Sequence, residues 1–241
     1  MTGCASPPRL LLVEDDSSLQ RFVAMALEDA GIELVTASSV DEGLEQLRSG
    51  PFFLVITDLM LPIRSGFELI DTLAAESQLL GSARLAVFSA GLNPETRQRL
   101  SRPEVWRLLP KPCSVAELLG CVHDAQAHTS PLQAATDSAP AAEQTAIARY
   151  FGGNTSLYRA FHDSCLQQFP ADIATGERAF AAGDLVALRH LAHSLKSVLL
   201  TLGRDDDSAL AKSLEDACAN GDAHQASLLW PTLGHRLGVP K

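Results

Sequence analysis

Five short apolar runs recur along residues 9–128, and an amphipathic stretch separates each run from the next. The runs occupy residues 10–13, 34–37, 52–57, 85–89 and 105–109. Short buried strands that alternate with helices are typical of an α/β domain with a parallel sheet. Capping boxes, in which a serine and a glutamate cap each other's backbone donors, mark helix starts at residues 39–42 and 114–117. We therefore predict an α/β domain over residues 8–128.

The strand pattern ends there, and the second part of the chain has a different organisation. Residues 129–142, TSPLQAATDSAPAA, are mostly small, polar or proline. Such a segment cannot bury enough apolar surface to fold alone, so we predict a flexible linker that spans about 20 Å. From residue 143 to residue 241, apolar residues recur at helical spacing. Breaks are predicted at residues 152–154, 169–170, 183–184, 203 and 221–222. This pattern predicts an all-α domain, a four-helix bundle with a short additional helix in front.

The composition argues against several classes of protein. A net charge of −10 disfavours binding to nucleic acid, because that affinity comes largely from basic residues that neutralise phosphates. The five cysteines are scattered and include no C-x-x-C pair, so neither a disulfide framework nor a zinc site is indicated. Residues 1–9 contain no apolar core that could serve as a signal peptide, and no apolar run approaches roughly 20 residues. We expect a cytoplasmic protein that neither inserts into a membrane nor binds nucleic acid.

Acidic side chains follow two of the predicted strands. Glu14 and Asp15 come directly after the first strand, and Asp58 follows the third. In a doubly wound sheet the ligand site lies at the carboxyl ends of the strands, so these carboxylates should converge. Their mutual repulsion is relieved by a hard divalent cation with oxygen ligands, such as Mg²⁺. Ser89 and Lys111 end the fourth and fifth strands, and a hydroxyl and a cation beside a carboxylate nucleophile suit phosphoryl transfer.

The motifs at these strand ends are LLLVEDD, LVITDLMLP, FSA and LPKP. With them, about 120 residues resemble the receiver domain of two-component response regulators. The resemblance implies a flavodoxin-like (βα)5 fold with Asp58 as the phosphoacceptor. It also implies an Mg²⁺ ion bound by Glu14, Asp15, Asp58 and the backbone carbonyl of Met60.

The same resemblance assigns the remaining polar residues at these strand ends. Ser89 would donate a hydrogen bond to a phosphoryl oxygen, and Lys111 would form an ion pair with the phosphate. In this family the bond between that lysine and the following proline is typically cis. Asp16 is expected to cap the first helix. Taken singly, acids at strand ends are often only helix caps, and this structural interpretation competes with the functional one.

The segment from Asp184 to Gly203 predicts a helix with one apolar face. At 100° per residue, His193 lies almost opposite that face, with Arg189 one turn before it and Lys196 one turn after. We therefore expect His193 to be exposed beside positive charge. The apolar residues that define the face are Leu188, Leu191, Ala192, Leu195, Leu199 and Leu202.

The motif AHSLKSVLLTLG, together with FAAGD and SLEDACANGD, resembles the histidine phosphotransfer family over about 95 residues. The resemblance implies that His193 is a phosphoacceptor and Lys196 its accompanying cation, while Ser197 replaces a glycine common in the family. Two alternatives compete with this assignment. An isolated surface histidine usually has no function, and His190 with His193 could hold a metal, although no third ligand has comparable spacing.

The sequence contains no glycine-rich nucleotide site, so we expect a phosphotransfer protein without a kinase domain. Its phosphoryl group would come from a histidine kinase, hybrid or not, or from another phosphorelay protein. The predicted function is a phosphorelay, in which Asp58 accepts a phosphoryl group and His193 carries one. One alternative is a docking module of a sensor kinase, controlled by phosphorylation and without relay turnover. A magnesium phosphatase is a second alternative, although Met60 stands where such enzymes carry another acid.

Overall fold

A computed structural model describes residues 6–90, 94–127 and 142–238. These residues form two compact units, one up to residue 127 and one from residue 142. The predicted linker, residues 129–142, lies outside the described residues except for its last residue. No helix in the described part of the chain is long and apolar enough to cross a membrane.

The first unit is built on a five-stranded parallel sheet in the order β2-β1-β3-β4-β5, within residues 6–127. This arrangement confirms the predicted doubly wound α/β fold, and each strand lies within two residues of its predicted position. The strands are β1 (Arg9–Val13), β2 (Glu33–Ala37), β3 (Leu54–Thr57), β4 (Arg84–Ser89) and β5 (Val105–Pro110).

Helices cover this sheet on both faces. Leu11 and Val13 of β1 belong to an apolar core that includes residues of α2 and α3, and the alternate residues Leu10 and Leu12 are also fully buried. Burial of successive strand residues is typical of a parallel sheet between two helical layers. The helices of this unit are α1 (Ser17–Ala26), α2 (Val40–Ser49), α3 (Gly66–Ala75), α4 (Ser77–Leu80), α5 (Pro94–Arg99) and α6 (Val115–Ala127).

The register of the sheet determines which side chains meet at its edge. Val13 pairs with Thr57, and Thr57 pairs with Val87, so β1, β3 and β4 reach the same level. The backbone N–H of Asp58 donates to the carbonyl of Val13 at 2.9 Å, which carries the pairing one residue further. Residues that follow β1 and β3 therefore emerge side by side.

The second unit is helical, and its described residues confirm the predicted bundle with a shorter helix in front. The predicted break at residues 169–170 is wrong, because one helix continues through Pro170 from Thr155 to Ala182. α9 packs against both α8 and α10, and α11 packs against α8 and α10. Trp230 of α11 is fully buried and lies over Gly176 of α8, where a Cβ atom would come within 1.9 Å of the indole ring. The helices are α7 (Ala142–Phe151), α8 (Thr155–Ala182), α9 (Leu185–Thr201), α10 (Asp205–Ala219) and α11 (Ala223–Leu237).

Candidate functional site

Three carboxylates converge at the carboxyl edge of the sheet in the first unit. Oxygen atoms of Glu14, Asp15 and Asp58 all lie within 4.8 Å of one another. Glu14 and Asp58 are each only 1% exposed, and Asp15 is partly buried. Three oxygen ligands so close together suit a hard divalent cation such as Mg²⁺. The structure thus brings together the acids that the sequence placed after β1 and β3.

Lys111, the residue that follows β5, points into this acidic cluster. Its Nζ atom donates to Oε2 of Glu14 at 2.5 Å and to Oδ2 of Asp58 at 2.9 Å. Burial would by itself lower the pKa of Lys111, but the charges of Asp58 and Glu14 outweigh it and raise the pKa. The Lys111–Pro112 bond is cis, as expected, and Ser89 is buried at the end of β4. The Lys111 ammonium group therefore forms ion pairs with carboxylates that follow two different strands.

The fold disfavours the ionised forms of Glu14 and Asp15 despite this lysine. Desolvation is the main cause that raises the pKa of Glu14 to about 8 and that of Asp15 to about 6, and the charge of Asp58 adds to both effects. A bound divalent cation would reverse these shifts, because it stabilises the ionised form of each ligand. Asp16 has the capping role expected from the sequence, since its Oδ1 accepts from the N–H groups of Ser18 and Leu19.

A tight loop from residue 59 to residue 65 encloses the Asp58 carboxylate. The N–H of Leu59 donates to Oδ1 of Asp58 at 2.6 Å, and the N–H of Gly66 donates to the carbonyl of Leu59 at 3.0 Å. A Cβ atom on Gly66 would lie 1.9 Å from the carbonyl oxygen of Asp58, so only glycine fits. This glycine is not among the site residues predicted from the sequence. Met60 lies in the loop, and its role as a metal ligand stays a prediction.

The prediction that His193 is exposed is wrong. The residue is 4% exposed, and its Nδ1 atom lies 2.7 Å from Oε1 of Glu215 on α10. A helical wheel with one apolar face predicts one buried face, whereas α9 packs against both α8 and α10. Ser208 and Ala211 of α10 are buried, and their small side chains let α10 pack closely against α9. Ser208 Oγ donates a hydrogen bond to the Lys196 carbonyl at 2.8 Å. The histidine face of α9 is therefore covered.

Glu215 joins the two residues that the sequence singled out in the second unit. One carboxylate oxygen faces His193, and the other accepts from Nζ of Lys196 at 2.5 Å. Burial would raise the pKa of Glu215, but hydrogen bonds and positive charge from His193 and Lys196 outweigh it and lower the pKa to about 2. Glu215 is not among the site residues predicted from the sequence, although Ser208, Ala211 and Glu215 recur at the spacing of one helix face.

Family models match both units. Residues 10–123 match the response regulator receiver domain, and residues 160–237 match the Hpt domain. The response regulator receiver protein CpdR of Brucella abortus is 31% identical over 112 residues, which are 46% of this chain and 90% of that protein. The chain belongs to the response regulator receiver family and carries an Hpt domain. The combination of receiver and Hpt domains identifies it as a phosphorelay signal transduction protein.

Two further relatives extend the comparison. The sensor protein TorS of Escherichia coli is 31% identical over 210 residues, which are 86% of this chain but only 22% of TorS. The match thus extends over both units of this chain and covers less than a quarter of the relative's length. The chemotaxis response regulator CheY4 of Vibrio cholerae is 26% identical, with a TM-score of 0.46 over 50% of this chain and 99% of that one.

Proposed function

We propose that Asp58 of the receiver domain accepts a phosphoryl group from a phosphohistidine donor. The observation that carries the proposal is the cluster of Glu14, Asp15 and Asp58 with the ammonium group of Lys111 inside it. In this proposal Glu14, Asp15, Asp58 and the carbonyl of Met60 hold Mg²⁺. The ion would supply charge neutralisation for the transferring group, and the raised pKa values of Glu14 and Asp15 support its fit to this site.

The residues around Asp58 suit an in-line displacement. A carboxylate oxygen of Asp58 attacks the phosphorus, the phosphorus–nitrogen bond of the donor breaks, and the donor imidazole leaves with the electron pair and takes up a proton. The N–H of Leu59 and the ammonium of Lys111 orient the nucleophile by hydrogen bonds to its two oxygens. The Lys111 charge and the Ser89 hydroxyl would then bind the phosphoryl oxygens.

In the Hpt domain we propose His193 as the phosphoacceptor and Glu215 as its positioning residue. An ionised carboxylate can only accept a hydrogen bond, so Nδ1 of His193 carries the proton and donates to Glu215. The lone pair is then on Nε2, which becomes the nucleophile. Lys196, held beside the ring by Glu215, would pair with the incoming phosphoryl group.

The burial of His193 adds a step to this proposal. Both the residue and its Nε2 atom are buried, so the ring has to be uncovered before a partner can reach the nitrogen. The same observation favours a second candidate function, in which phosphorylation of Asp58 controls docking to a sensor kinase and His193 takes part in no relay. Either function needs a histidine kinase or another phosphorelay protein as partner.

Labelling of the full chain distinguishes these functions. We expect acetyl phosphate with Mg²⁺ to label Asp58, with loss of the label in Asp58→Asn. Phosphoramidate should label His193, with loss in His193→Gln, and the label should be acid-labile and base-stable, unlike the acyl phosphate. His123, whose side chain is 80% exposed, is the internal control for non-specific reaction. Label on His123 but not on His193 would favour the docking module over the relay.

We also propose that the phosphoryl group can be transferred within one molecule. We propose a receiver domain at residues 8–128 and an Hpt domain at residues 143–241, joined by residues 129–142. A short flexible tether gives effective concentrations on the order of 1 mM when its length spans the two sites. Transfer from Asp58 to His193 at a rate independent of protein concentration would support the intramolecular route. A rate proportional to concentration would contradict it.

A further inference from the structure

Ile63 has an unusual backbone in the loop that follows Asp58. Its φ is 68°, and among the described residues it is the sole residue other than glycine with a positive φ. The N–H of Arg64 donates to the carbonyl of Pro62 at 2.7 Å, which makes Ile63 the central residue of a γ-turn. A γ-turn with positive φ is strained, and a β-branched residue tolerates it poorly. Glycine or asparagine would occupy this position at lower cost.

The side chain of Ile63 gains nothing from the fold in return. It is 98% exposed, more than any other large apolar side chain of the described residues. The adjacent residue is nevertheless fixed, because Arg64 Nη1 lies 2.6 Å from Asp41 and Arg64 Nε lies 3.3 Å from Glu68. The turn therefore exposes an isoleucine to solvent in a loop that is held by ion pairs of Arg64. The backbone conformation of Ile63 is one that folding alone does not favour.

The position of Ile63 connects this exposed side chain with the reaction. Gly66 contacts the backbone of Asp58, and three residues of chain cannot reach further than about 11 Å, so Ile63 lies within about 11 Å of Gly66. Asp58 itself is 1% exposed. A donor imidazole can reach its carboxylate only if the surface that carries the imidazole covers the surrounding loops.

We propose that Ile63 is an apolar docking anchor that is buried against a histidine-bearing helical bundle when that bundle delivers its phosphoryl group to Asp58. The inference rests on the proposed function of Asp58 and names its partner surface. The Hpt domain offers the matching chemistry, because Val186 lies seven residues before His193 on α9, on the same side of the helix, and is 68% exposed. In the complex, the apolar side chain of Val186 on the donor helix would contact the apolar side chain of Ile63 near Asp58.

The test compares a protein donor with a small donor on the same full-chain acceptors. The protein donor is the Asp58→Asn variant labelled on His193 with phosphoramidate, and the small donor is acetyl phosphate. The acceptors carry His193→Gln alone or together with Ile63→Gly or Ile63→Asn, both of which suit a positive φ. Because the isoleucine side chain is buried in the complex, both Ile63 variants should accept the phosphoryl group from the protein donor about 10- to 100-fold more slowly. The rate of labelling by acetyl phosphate should be unchanged.

A matched control separates the anchor from a general loss of apolar surface. Leu119→Ala removes another exposed aliphatic side chain of the receiver, 40% exposed, and should leave both rates unchanged. Equal transfer to the Ile63 variants and their parent would overturn the anchor while leaving phosphorylation of Asp58 intact. Failure of acetyl phosphate to label Asp58 would instead contradict the proposed function. A donor that takes no label on His193 would contradict the role of the Hpt histidine and remove this partner with it.

Discussion

Replacement of Asp15 by asparagine should stabilise the metal-free receiver domain. Burial raises the pKa of Asp15 from 3.8 to about 6, so at pH 7 the folded protein holds an ionised carboxylate that the fold disfavours. A shift of this size corresponds to about 3 kcal/mol against folding. Because Asp15 is partly exposed, we expect Asp15→Asn to raise the free energy of unfolding by about 1–3 kcal/mol in EDTA.

The pH dependence of this difference follows from the direction of the shift. Between pH 3.8 and about 6 the folded protein binds more protons at Asp15 than the unfolded chain does, so the wild type loses stability as the pH rises through this window. The difference between variant and wild type should therefore be small near pH 4 and should reach its full value above pH 6. Mg²⁺ should cancel or reverse this difference, because a concentration 100 times the dissociation constant adds about 2.7 kcal/mol to the wild type.

Urea unfolding of the full chain can be monitored by hydrogen exchange in peptides from β1 and β3. This experiment measures the free energy of unfolding of the receiver domain separately from that of the Hpt domain. The exposed acid Asp29 provides the control, and Asp29→Asn should change little in the same experiment. An Asp15→Asn variant that is less stable than the wild type in EDTA at pH 7 would refute the argument that uncompensated carboxylates destabilise the cluster.

Three further perturbations test the two domains. Glu215→Ala should slow phosphoramidate labelling of His193 about 10- to 100-fold. Glu215→Gln should retain most of the rate, because its amide oxygen still accepts a hydrogen bond from Nδ1 of His193. Equal labelling rates in the two variants would argue against a positioning role for Glu215. Gly176→Ala should destabilise the Hpt domain by about 1–3 kcal/mol in thermal unfolding because its methyl group overlaps Trp230, and an unchanged midpoint would contradict this packing. Chelation of Mg²⁺ with EDTA should suppress acetyl phosphate labelling of Asp58, and undiminished labelling would exclude a role for the metal.

The sequence predicted the sheet well because buried parallel strands appear as continuous apolar runs. The exception lies before β3, where the apolar run starts at Phe52 but the strand starts at Leu54. Phe52 is buried without being part of the strand, and the Arg9 guanidinium stacks on its ring at 4.4 Å. Apolar runs report burial, and the ends of a strand depend on hydrogen bonding as well. The convergence of acids on one edge could be predicted because it follows from topology alone.

The surroundings of His193 could not be predicted in the same way. A helical wheel ranks the faces of one helix, but it contains no information on how many other helices pack against that helix. The cover over His193 comes from α10, and Glu215 lies 22 residues further along the chain. The strained turn at Ile63 was likewise invisible, because an isoleucine in a loop carries no sign of a positive φ. These features depend on tertiary contacts, which local patterns do not encode.

The packing of α9 between two neighbours ties reactivity to folding in this Hpt domain. Any motion that frees His193 must weaken contacts with α10, which also contribute to the stability of the bundle. Substitutions that loosen this helix pair and leave Glu215 in place should therefore speed labelling of the histidine as they lower the melting temperature. Substitutions that tighten the pair should give a more robust but slower phosphocarrier. In such a domain, natural variation along α10 would tune signalling speed without touching either acceptor residue.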